Sequence, residues 1–407
     1  MRISMFIAGR IAFNRSSSFS RFIINIAMAA TGFSVAVMII ATAMINGFQH
    51  VISEKIFSFW GHYHITDYRA PGGPLTEQAP FPEDSNLEKR IAALPQVKFI
   101  SPFATKSVIV KKGRETEGMI FKGSPAGQAL PFIIEGRTTK AQDSGYASEV
   151  IISASTAKSL HLKLGDALVM YFMRGDGLSP RARKLSVCGI YKTGIEEYDK
   201  TYVVGDINLI RRLNDWDPDE IGGYEVHLNQ FSDMATAGER ISDELTTAEL
   251  GMRSMQEIYP NIFDWLGLQN KSEQIILIIM TIVAVFNMIT AMLILILERT
   301  NMVGILKALG MRNASIQQIF LYQAGYIVIA GIVIGNVLGL GLAFLQQYTG
   351  FIRLPEEAYY MSVAPIAIQW WKVGLINVGT LVICVLVLII PSLLIRRILP
   401  VRAIQFK

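Results

Sequence analysis

Residues 275–310 read IILIIMTIVAVFNMITAMLILILERTNMVGILKALG. Positions 275–297 carry no charge, and about 20 apolar residues suffice for a helix to cross a hydrocarbon core roughly 30 Å thick. Glu298 and Arg299 then interrupt the run. After them Met302, Ile305, Leu306 and Leu309 recur at i, i+3, i+4 and i+7, which predicts one apolar stripe on a short helix. This second piece is too short to span and contains Lys307, with Arg312 just beyond. The stretch therefore leaves the membrane and turns into an amphipathic helix. Its stripe has two readings. It lies in the headgroup region or against the protein's own helices, or it seats in the groove of a partner outside the bilayer.

Three further apolar runs have spanning length, at 22–44, within 316–345 and at 373–395. Charged residues make up 17% of the 407 residues, against about 25% in a typical soluble chain. The apolar run near the N-terminus is too long for a cleavable signal and lacks the flanking small-residue site. Arg2, Arg10, Arg15 and Arg21 precede the first span without an acid, and Arg396, Arg397, Arg402 and Lys407 follow the last. The 297–314 loop is also basic. The positive-inside rule places both termini and that loop in the cytoplasm, with the large segment between spans one and two outside. Residues 47–274 hold 25 Lys and Arg against 30 Asp and Glu, so the net charge of +5 arises from the membrane-flanking segments. This pattern favours membrane anchoring over nucleic-acid binding.

Residues 2–20 read as an interfacial helix, and Phe48, Val51, Ile52, Ile56 and Phe59 continue a helical stripe beyond span one as a stalk. Pro260 suits the first turn of a matching stalk into span two. Between the stalks the apolar period becomes two. Strands are predicted at 62–68, at 97–110 with a break at Pro102, and along ETEGMIFKG, EVIIS, ALVMYFM, RKLSVCGIY and GGYEVHLN. Helices are predicted from about Asn86 with Ser85 as cap, after EVIIS, around 207–213 and over 233–245. The element order predicts an α+β domain with a second lobe inserted in it.

Chemistry-bearing motifs are sparse. The chain has no Walker A loop, G-x-S-x-G or H-E-x-x-H. Cys188 and Cys384 lie in different regions and suggest neither a disulfide nor a metal site. His62 and His64 would share a solvated strand face, short of the ligands a metal needs. Glu196, Glu197 and Asp199 read as a turn between strands, with a carboxylate pair as the alternative. Gly331, Gly335 and Gly339 fall four apart in span three, a pattern that lets helices approach closely, either as fixed packing or as a sliding seam. Gly32 and Ala36 repeat the spacing in span one and suit a dimer interface; Asn287 and Thr290 suit polar contacts between helices.

The segments ATAMINGFQHVI, SEVIISASTAKSLHLKLGDALVMYF, SVCGIYKTGIEEYDKTYVV and IFDWLGLQNKSEQIILIIMTIVAVFNMITAMLILILERTNMVGILKALG, with the tail LPVRAIQFK, resemble the FtsX-like/MacB-type ABC permeases, and among them the lipoprotein-releasing LolC/LolE group. The resemblance covers nearly the whole chain. It implies four transmembrane α-helices plus a two-lobed α+β periplasmic domain of the MacB-like core type inserted between spans one and two. The divisions would be 1–47 (interfacial helix and first span), 48–272 (periplasmic domain with stalks) and 273–407 (FtsX-like permease domain with spans two to four). It further implies a non-catalytic subunit of the bacterial inner membrane, with ATP and Mg bound by a separate cytoplasmic ATPase. A second permease chain, a lipoprotein substrate and a periplasmic carrier would complete the system. The coupling helix to the ATPase would comprise Glu298, Arg299, Met302, Ile305, Leu306, Leu309 and Gly310. Phe48, Val51, Ile52 and Ile56 would offer an acyl-chain surface. The hairpin RGDGLSPRA is shorter than the carrier-gripping hook of some members, which weakens the expectation that Leu178 and Pro180 dock a carrier. Two other activities occur among similar permeases: mechanical control of a cell-wall hydrolase, usually with a smaller outer domain, and MacB-like export, in which an ATPase is fused ahead of span one.

Overall fold

The computed structural model describes residues 18–68, 77–113, 115–141, 145–173, 179–245 and 249–397. Four helices among them are long and apolar enough to cross a membrane. These are Ser18–Trp60, Pro260–Glu298, Asn313–Thr349 and Trp370–Ser392. The first has 43 residues, a length of about 65 Å at 1.5 Å per residue. It overshoots the hydrocarbon core, as the stalk pattern predicts, and Pro260 does open the second helix. The expected interfacial helix at 2–20 lies almost wholly outside the described residues. The chain divides into two units, one built from the described parts of Met1–His50, Leu266–Arg353 and Val363–Lys407, the other from Val51–Trp265 and Leu354–Ser362.

The helical unit is joined by small residues and a few polar pairs. Ala27, Met288, Leu295, Phe320, Val328 and Leu388 belong to one buried cluster drawing on all four spans. Asn336 and Asn377 exchange amide hydrogen bonds of 3.0 and 3.1 Å between spans three and four. Lys372 on span four reaches Asn46 on span one at 2.8 Å and Glu273 on span two at 3.2 Å. Polar side chains in apolar spans hold position through partners of this kind.

The second unit is β-rich. Strands β1 (Tyr63–Asp67), β2 (Phe81–Pro82), β3 (Val97–Lys112), β4 (Glu115–Ser124), β5 (Ile133–Gly136) and β6 (Glu149–Ser153) come first. β7 (Ala167–Phe172), β8 (Arg181–Tyr191), β9 (Tyr202–Asp206), β10 (Glu220–Ile221), β11 (Gly223–Leu228) and β12 (Leu250–Ser254) follow. The large sheet runs β12-β1-β11-β3-β4-β9-β6-β8-β5, and β7 bridges β3 and β8. The bridge closes the ladder β3-β4-β9-β6-β8-β7 into a ring of strands, the second lobe. β12, β1, β11 and the first half of β3 form the other lobe, with helices Ser85–Ala92 and Met234–Glu244 beside them. Leu87, Ile91, Ala237 and Ile241 are buried there.

Several expectations are corrected. Pro102 does not break β3. The strand pairs β11 through Phe103 and β4 from Ala104, so Pro102 lies where the partners change. A missing N–H is tolerated where no ladder bond needs it. Asp84, not Ser85, caps the helix that follows it, accepting from Asn86 and Leu87 N–H at 2.8 and 3.1 Å. Glu196–Thr201 forms a short helix between β8 and β9. Its Asp199 is buried and accepts from Thr193 N–H, Thr193 Oγ1 and Gly194 N–H, a structural role that ties down the preceding turn.

His62 and His64 are buried, not solvated. His62 stacks on Phe57 at 4.2 Å and accepts Leu228 N–H on Nδ1. His64 lies beside Trp60 and Phe103, and its Nε2 donates to the Trp60 carbonyl at 2.9 Å. Burial, partly opposed by Glu225, pulls His64 down to about 4. Burial, aided by His227, pulls His62 down to about 3. An unfolded imidazole titrates near 6.5, so on acidification the unfolded chain takes up protons first. Stability from these residues is complete above about pH 6.5 and is lost as pH falls toward the folded values. The melting temperature of the full chain in detergent is expected to be lower at pH 5 than at pH 7. His64→Gln should shrink that difference; an unchanged difference would show that His64 does not carry it.

Candidate functional site

Span two ends at Glu298, and Arg299 joins it to a short helix, Thr300–Ala308. Thr300 Oγ1 donates to the Ile296 and Leu297 carbonyls and steadies the bend. The short helix stops at a left-handed Gly310, φ 85°. Gly310 N–H reaches the Lys307 carbonyl and Met311 N–H the Leu306 carbonyl, both at 3.0 Å. This pairing is a Schellman stop, which a residue with a Cβ adopts only with strain. Span three begins at Asn313.

The sequence stripe divides on this helix. Val303 and Gly304 are buried, and Met302 and Leu306 pack half-buried against the four-span cluster. Ile305 and Leu309 instead stand 49% and 78% exposed. Asn301, Ile305, Ala308 and Leu309 form the open face, beside exposed Leu297 and Glu298. The own-helix reading therefore holds for Met302 and Leu306, and an apolar surface remains at Ile305 and Leu309. Lys307 Nζ donates to the Ile395 carbonyl at 2.8 Å, and burial lowers its pKa. The short helix is thus embedded by its inner face and tethered to the end of span four.

The glycine seam packs within the chain. A Cβ on Gly331 would meet Thr31, one on Gly335 would lie 2.6 Å from Val35 Cβ and 2.7 Å from the Gly32 carbonyl, and one on Gly339 would crowd Ala36. Gly32 and Ala36, read as a possible dimer face, are spent on this contact. Thr290 bonds its own helix at the Phe286 carbonyl.

The proposed acyl-chain surface needs correction. Ile52 and Ile56 are 0% exposed, because the stalk's apolar stripe enters the core, while Phe48 and Val51 are half-buried. Leu178 lies outside the described residues, and Pro180 is exposed just before β8. Sequence reasoning missed the Asn336–Asn377 pair and the Lys372–Glu273 pair; polar residues set in or beside apolar runs were their signal. Among the described residues no cluster of His, Cys, Asp and Glu could hold a metal ion.

Residues 26–244 match the MacB-like periplasmic core domain and residues 274–400 the FtsX-like permease C-terminal domain. The lipoprotein-releasing system transmembrane protein LolE of Haemophilus influenzae is 23% identical and aligns over 88% of both chains. LolC of Neisseria meningitidis serogroup B is 20% identical over 97% of this chain and 96% of its own. The solved periplasmic region of MacB from Actinobacillus actinomycetemcomitans covers 52% of this chain and 97% of its own length, at 14% identity and a TM-score of 0.36. With two matched regions in this order and four candidate spans around them, the chain is a membrane protein of the MacB-like periplasmic core domain family that carries an FtsX-like permease module.

Proposed function

We propose that this chain is the permease subunit of an ATP-driven ABC transporter that extracts lipoproteins from the inner membrane toward a periplasmic carrier. The similarity to LolE and LolC along nearly the whole chain, outer domain and spans alike, carries this reading. Both termini and the Thr300–Ala308 helix would face the cytoplasm, as the basic flanks favour. The open face at Ile305 and Leu309 would seat in a groove of a separate ATPase, which would hold ATP and Mg. A push on that face would pass into the span bundle through Val303, Met302 and Leu306 and into span four through Lys307. The long first and second helices would relay it outward. A second permease chain would complete the pathway. Extraction costs about 0.8 kcal/mol per CH₂ withdrawn from lipid, so passive release is negligible and coupling to ATP is required. Exposed Ile275, Ile278, Ile282 and Phe286 form one apolar stripe on span two, a better acyl-chain surface than the buried Ile52 and Ile56.

Depletion of the protein in its native cell tests the reading. Inner and outer membranes are separated and their lipoproteins quantified by mass spectrometry. Retention of outer-membrane lipoproteins in the inner membrane is expected. Unchanged sorting would overturn lipoprotein release and direct attention to cell-wall hydrolase control or export.

A further inference from the structure

The β-rich unit contains a cavity of about 550 Å³ that serves neither the short helix nor the spans. Phe59, at the end of the first helix, and Phe99 on β3 supply apolar walls, and Ala129 lines it as an exposed residue of the segment after β4. Lys122 of β4 and Glu225 and His227 of β11 also line it, all at least nine-tenths buried. The volume falls in the ordinary range for ligand sites, which favour junctions between lobes.

The buried groups restrict what can enter. Lys122 and Glu225 pair at 2.7 Å, so the buried end of the cavity is polar without net charge, and exposed Lys98 adds one positive charge to the lining. Lys122 also lies over the Trp60 ring at 4.1 Å and donates to the Phe59 carbonyl. His227 stacks on Phe99 at 4.1 Å. Its Nε2 has no hydrogen-bond partner among the described residues, with Glu225 Oε2 at 3.7 Å. A buried polar atom without a partner costs free energy that an incoming group can recover. An anion would face Glu225, and a cation would face Lys122. An acyl chain would leave His227 Nε2 without a partner and offer the buried ion pair nothing. A peptide backbone is neutral, offers N–H and C=O together, and can carry apolar side chains to the phenyl walls.

We propose that the cavity framed by Phe59, Phe99, Lys122, Ala129, Glu225 and His227 binds a short, extended, uncharged peptide segment with apolar side chains. Such binding does not depend on lipid release. The probe is an N-acetylated, C-amidated Ala/Leu tetrapeptide bearing one diazirine-leucine, photolysed with the purified full chain in detergent and mapped by mass spectrometry. Saturable labelling of peptides carrying Phe59, Phe99 or Ala129 is expected, suppressed by unlabelled tetrapeptide. Ala129→Trp, a substitution at an exposed position, should fill the entrance and weaken labelling by about tenfold or more, equivalent to about 1.4 kcal/mol. His227→Phe keeps a ring for Phe99 and removes Nε2; it should weaken labelling as well. Non-saturable labelling, labelling confined to other regions, or full labelling of Ala129→Trp would overturn the proposal. Displacement of the peptide by diazirine-laurate at this site would also overturn it, in favour of an acyl-chain pocket. Competition on the unaltered chain keeps the test decisive if a variant fails to fold.

Discussion

Replacing Ile305 and Leu309 together by aspartate is expected to abolish co-purification of the proposed ATPase partner while membrane insertion and thermal stability stay near their unaltered values. Both side chains stand open on the Thr300–Ala308 helix and its stop, so the free chain loses little when they change. Fully burying an aliphatic side chain contributes about 1.5–3 kcal/mol, so losing two anchors should weaken association by about 100-fold or more. Leu306→Asp supplies the contrast. The sequence pattern alone offers Leu306 as an equal anchor, but it packs against the four-span cluster. That change should lower stability and expression as well as association. Retention of the ATPase by the Ile305/Leu309 double variant, measured by pull-down from membranes, would exclude this face as the docking surface.

Gly335→Leu is expected to be strongly damaging to the span bundle. The glycine faces the backbone of span one, where the Gly32 carbonyl would lie 2.7 Å from an added Cβ and Val35 Cβ only 2.6 Å away. A backbone carbonyl in a helix has no rotamer by which to move aside. Overpacking a tight core costs about 1–3 kcal/mol for extra methylenes, and here the two helices must also part along the seam. Loss of accumulated protein in membranes, or a large drop in melting temperature, is the expected readout. Gly341 is the internal control. It lies on the same helix with nothing within 4 Å of its Cβ position, so Gly341→Leu should be neutral. Equal effects of the two substitutions would show that the seam contact does not govern span three, since Gly→Leu raises helix propensity at both sites.

The contrast between these glycines shows what could be read beforehand. Spacing alone marks Gly331, Gly335 and Gly339 as a seam, because a four-residue step keeps one helical face. It does not name the partner, which is span one of the same chain. Most of the longer strands were legible from local pattern and the short helix by its breaks at Glu298 and Gly310, while β2, β5, β10 and β12 were not expected. Strand order was not, because β7 returning to β3 is a contact between residues about sixty apart, with no local trace. The Lys122–Glu225 pair joins strands about a hundred residues apart and was hidden for the same reason. On the short helix, periodicity separates apolar from polar but not inner from outer when both sides carry Met, Leu and Ile. Only the packing of Met302 and Leu306 identified Ile305 and Leu309 as the open pair.

Strand β3 has a consequence for how the outer domain can be divided. Its first seven residues belong to one lobe and the remaining nine to the other, with no linker between Phe103 and Ala104. The second lobe is therefore not a bead threaded on a string. A cut at the junction would leave each fragment with half a strand and a row of unsatisfied backbone groups, the condition that invites edge-to-edge aggregation. Neither lobe can be trimmed, swapped or grafted as a cassette at that point, and a torque applied to one lobe has no hinge in β3 at which to dissipate.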